Sequence, residues 1–81
     1  MAGTVEIHEI YQEEVHSPEG MYWFFSKGVR FLEVATKHGC ELQLTIGGDA
    51  YLIDSVEKLV QLRGECLQHE VPVVCRVTLL K

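Results

Sequence analysis

The chain has 81 residues, a formal net charge of −5 at pH 7, 47% hydrophobic and 23% charged residues. That length holds one small domain, near the size at which a single core supplies only a few kcal/mol of net stability, and the composition excludes a disordered chain. The basic residues are scattered singly, which excludes a nucleic-acid binder and suits a basic protein partner instead. No apolar stretch approaches the roughly 20 residues that span a bilayer, and no basic start leads into an apolar run. Three cysteines without regular spacing make no disulfide framework and predict a reducing compartment, so the chain reads as cytoplasmic.

In chain order, Thr4 to about Val15 reads as a strand, with Val5 and Ile7 alternating against Glu6 and His8. Ile10 falls out of phase, which predicts one extra residue, a bulge. Met21, Phe24, Phe25, Gly28, Phe31, Leu32 and Ala35 follow the three-and-four spacing of an amphipathic helix. Ser17 can cap that helix with Pro18 at its first position, or Gly20 can extend the loop and delay the start. Lys37 and His38 suit its last turn, and Gly39 can stop it in the left-handed conformation.

Leu42, Leu44 and Ile46 alternate as a strand over Glu41–Ile46, Gly47-Gly48-Asp49 turns the chain, and Ala50–Ile53 returns antiparallel. Asp54 with Glu57 resembles a capping box for a second helix from Val56, with an apolar stripe of Val56, Leu59, Val60, Leu62, Cys66 and Leu67. Gly64 weakens its last part and Glu70-Val71-Pro72 breaks it, before Val73, Cys75, Val77 and Leu79 alternate as a final strand. The order β-α-β-β-α-β predicts an α+β open-faced sandwich, a four-stranded antiparallel sheet with both helices on one face.

Two topologies share that order. A ferredoxin-like sheet places the first strand between the last and the third, as befits a ligand-binding or structural domain. The other arrangement is suggested by the run from Glu41 to Leu80, with its hairpin, Ser55-Val56-Glu57-Lys58-Leu59 at a helix start and Pro72-Val73-Val74 opening the last strand, and by Pro18-Glu19-Gly20-Met21 before the first helix. Together these resemble HPr, the histidine-containing phosphocarrier family of the bacterial sugar phosphotransferase system. The resemblance covers most of the chain and implies that the last strand lies between the first and the second.

That family's loop reads Pro-x-Gly-Leu-His-x-Arg-Pro, its histidine taking phosphate from enzyme I. Here Gly20 and Met21 are followed by Tyr22-Trp23-Phe24-Phe25. Aligning from the loop puts Tyr22 at the histidine, and counting back from Glu41 puts Phe24 there; the paired arginine and proline are gone too. The resemblance therefore implies a divergent, non-catalytic member acting as a regulatory or protein-interaction module, with phosphotransferase components as candidate partners. By helical phase Phe24 and Phe25 are core, and Tyr22 and Trp23 stay partly exposed, either as plain surface or as an aromatic anchor for a partner.

His16 is the one histidine near the right place. A helix starting at Pro18 would offer it first-turn amides, making it a displaced phosphate acceptor, whereas Glu13, Glu14 and Glu19 oppose that and make it an exposed loop histidine. Ser55 coincides with a serine that regulatory kinases modify in some members of the family; between Asp54 and Glu57 it reads as a helix cap.

His38-x-Cys40 and Cys66-x-x-His69 imitate half zinc sites, but buried free cysteine is ordinary at such positions, and no metal or other cofactor is expected. Carboxylates read as solvated polar faces. The family's third helix is missing after Lys81, which predicts an exposed part of the sheet face and a homodimer that covers it.

Overall fold

The computed structural model describes residues 7–68 and 70–81. Its first strand, β1, spans Ile7–Val15; the expected start at Thr4 and the alternation at Val5 lie outside the described residues. The helix α1 spans Pro18–Lys37, β2 spans Glu41–Ile46, β3 spans Asp49–Ile53, α2 spans Val56–Cys66 and β4 spans Val73–Leu80. All strands pair antiparallel in the order β1-β4-β2-β3. The last strand therefore lies between the first and the second, and the ferredoxin-like alternative is excluded.

The sequence irregularity in β1 is a bulge: the register passes from Glu9 opposite Thr78 to Tyr11 opposite Val77, leaving Ile10 over. Beyond it Tyr11, Glu13 and Val15 stand opposite Val77, Cys75 and Val73, on the face that the helices cover. The β2–β3 hairpin turns on Gly47 and Gly48 alone, at φ 59° and 100°, and Asp49 already belongs to β3.

The helix face of the sheet and the inner faces of α1 and α2 form one core. Phe24, Leu44, Ile46, Cys66, Cys75 and Val77 have no accessible surface. Phe24 lies at its centre, its ring edge-on to Phe25 at 5.7 Å and stacked with Tyr11 at 6.4 Å. On the helix side of the central strands Leu42, Leu44, Ile46, Val73, Cys75 and Val77 are buried, and Leu79 at the end of β4 is half-buried.

The buried stripe of α2 is narrower than expected, Leu59, Leu62 and Cys66 only, with Val56, Val60 and Leu67 exposed. Its N-cap is Ser55, as the reading of that serine as a cap predicts, and not Asp54 of the expected Asp54–Glu57 box; the Ser55 Oγ accepts from the Lys58 amide at 3.2 Å.

Truncating the central ring tests this core. Phe24→Ala should cost about 3–5 kcal/mol in urea unfolding; a loss under about 1 kcal/mol would place the centre of the core elsewhere.

Candidate functional site

The start of α1 is where the sequence concentrates its functional candidates. Ser17 sits extended at the N-cap, its Oγ accepts from the Gly20 amide at 3.0 Å, and Pro18 takes the first turn. The helix thus begins at the earlier of the two expected places. Its anion-binding capacity is largely spent: Pro18 has no N–H, the Gly20 amide is held by Ser17, and the Met21 amide donates to the Ser17 carbonyl at 3.1 Å. That leaves at most the Glu19 amide, on a residue that carries a negative charge. His16 is exposed, and its Nε2 lies 3.6 Å from Glu14 Oε1.

Tyr22 and Trp23 are 48% and 60% exposed, while Phe24 and Phe25 are buried, as helical phase requires. The two exposed rings differ in surroundings. The Arg63 guanidinium carbon of α2 lies 4.7 Å from the centre of the Tyr22 ring, a cation–π contact that holds Tyr22 toward α2. Lys27, one turn beyond Trp23, faces β1 instead. Arg63 is a residue that sequence reasoning missed, since nothing local links positions 22 and 63.

Ser55 is not part of this cluster. The helices run antiparallel, so α2 begins near the far end of α1, where Leu32, Thr36 and Lys58 line an open groove of about 380 Å³. From Ser55 to Arg63 is about 12 Å of helix rise. Along the seam between, Val29, Val56 and Val60 line adjoining shallow grooves.

A second polar group was not expected. Glu13 is not on a solvated face: the bulge turns it onto the helix side, opposite the buried Cys75. Its Oε1 is buried with no hydrogen-bond partner among the described residues, and the Lys27 ammonium 3.7 Å away compensates its charge. Lys27 Nζ donates to the Tyr11 hydroxyl at 2.8 Å, a bond that raises the Lys27 pKa, with the charge of Glu13 adding to it. The signal was present in the sequence, because a bulge at Ile10 places Tyr11, Glu13 and Val15 on one face.

The cysteines are all free. Burial pushes the Cys66 and Cys75 thiols up to about 11; negative charge at Glu65 and Asp49 adds to the first, and Glu13 to the second. Burial, with Cys66 and Asp49 nearby, also raises Tyr51. Cys40 is half-buried, and its Sγ donates to the His38 carbonyl at 3.6 Å. His69 lies outside the described residues, and among those described no three metal-ligating side chains gather. Among them too, no helix is long and apolar enough to cross a membrane.

No family model, curated protein or solved structure matches the chain.

The thiols give a testable sign. A folded pKa of about 11 against an ordinary 9.0 means that the folded state holds its protons more tightly. Stability is then complete below the ordinary thiol range and falls as pH rises from about 9 toward about 11, by up to about 1.4 kcal/mol per unit for each thiol. At neutral pH a thiol reagent should label Cys40 first and the other two only on unfolding; rapid labelling of all three would contradict their burial.

Proposed function

We propose that this chain is an HPr-like domain that keeps the phosphocarrier scaffold, has lost the phosphohistidine, and works in the cytoplasm as a regulatory or protein-binding module. The observation that carries the reading is the start of α1. The two alignments of the resemblance put exposed Tyr22 or buried Phe24 at the phosphate acceptor, neither of which can be a phosphohistidine, and the nearby His16 faces a carboxylate. The strand order, with β4 between β1 and β2, supports the scaffold half of the proposal. Three free thiols suit a reducing compartment.

The partner is a protein that reads the helical surface around Tyr22 and Trp23, with phosphotransferase components the first to test. Tyr22, held under Arg63, loses less rotamer freedom on docking than a free ring would.

Incubation with phosphoenolpyruvate and enzyme I tests the proposal. The expected result is no acid-labile phosphate on the chain. Label that vanishes in His16→Ala would overturn it in favour of active transfer.

A further inference from the structure

Val29 of α1 and Val56 and Val60 of α2 are exposed and line adjoining grooves along the seam between the helices. Tyr22 beneath Arg63 lies at one end of the helix pair, and Leu32 and Thr36 line the grooves at the other. A contiguous apolar strip of this kind marks an interaction surface.

Charge decides what covers it. Apart from Lys27, which faces β1, the helices carry Arg30, Lys37, Lys58 and Arg63, matched by Glu19, Glu33, Glu57 and Glu65. The outer face of the sheet is more one-sided, with Glu9, Glu14 and Glu41 against Arg76. A strongly basic partner is drawn to the sheet rather than to the seam, and a strongly acidic one gains little from a face of mixed sign. A second copy of the chain suits that face. Two-fold pairing lets the basic residues of one helix pair meet the acidic residues of the other, and it holds the two acidic sheets apart on the outside.

We infer that two copies of this chain pair helix face to helix face across the Val29, Val56 and Val60 seam. The inference rests on the reading of the domain as a binding module, and adds a second copy of the chain as the occupant of the seam beside the Tyr22–Trp23 surface. The area sets the strength. With 20 residues in α1 and 11 in α2, the helices are about 30 Å and 16 Å long. At about 10 Å width each, pairing covers at most about 900 Å² in projection over both copies, a small interface that predicts a weak, reversible dimer.

Sedimentation equilibrium of the full chain from about 1 to 200 μM tests it. The expected result is monomer–dimer exchange that Val60→Glu weakens at least about tenfold, with an unchanged circular dichroism spectrum. Val56→Glu should act alike, and Leu52→Glu, on the edge strand β3, should leave association intact. A monomer at every concentration overturns the inference, as does association that survives Val60→Glu and Val56→Glu, or that only Leu52→Glu abolishes. Phosphoryl labelling separates the two readings: a labelled histidine defeats the module whatever the sedimentation result, and an unlabelled monomer defeats only the dimer.

Discussion

The closeness of α1 to α2 at Gly28 is the contact on which the rest of the domain depends. A Cβ at Gly28 would stand 3.1 Å from Leu59 Cδ2, so the leucine rests against bare helix backbone. That approach lets 31 helical residues act as one continuous cover over a four-stranded sheet. Two consequences follow. The central strands are buried on their helix side as far as Val77, and the side chains that flank the seam, Val29, Val56 and Val60, are turned outward. The same contact that closes the core creates the exposed strip.

A second constraint ties the edge strand to the helices. β1 pairs only with β4, and a strand at a sheet edge has half its backbone groups unpartnered. Tyr11 packs on Phe24 and Phe31, while its hydroxyl and Glu13 hold Lys27 of α1. Burying a carboxylate oxygen beneath a helix is costly, and the lysine offsets that cost without adding a second buried charge, since its ammonium stays half in water. The bulge at Ile10 makes the arrangement possible, because without it Glu13 would face solvent.

Much of this was legible in the sequence because it rests on local patterns. Element order, the bulge, the two-glycine turn and the left-handed stop at Gly39 each follow from a few neighbouring residues. What was not legible depends on distance. Val56 and Val60 fit the helical period as well as Leu59 does, and only the nearness of Gly28 decides which of them is inside. The Tyr22–Arg63 and Tyr11–Lys27 contacts join side chains that no local pattern connects.

On the proposed reading, the start of α1 separates a phosphate carrier from a binding module through few residues. A carrier needs free first-turn amides, a nucleophilic ring beside them and a cation to steady the anion. Here Ser17 and Pro18 leave little amide capacity, and Glu19 adds negative charge at the mouth. Arg63, which reaches the start of α1 from α2, is engaged with the aromatic face of Tyr22. Each feature that weakens phosphate binding also stabilises or orients the helix start: the cap fixes its direction, proline fixes its first φ, and the arginine steadies Tyr22. A capped helix start followed by two large exposed rings is poorly suited to holding phosphate and well suited to docking. That contrast is the physical basis for proposing a partner rather than a reaction.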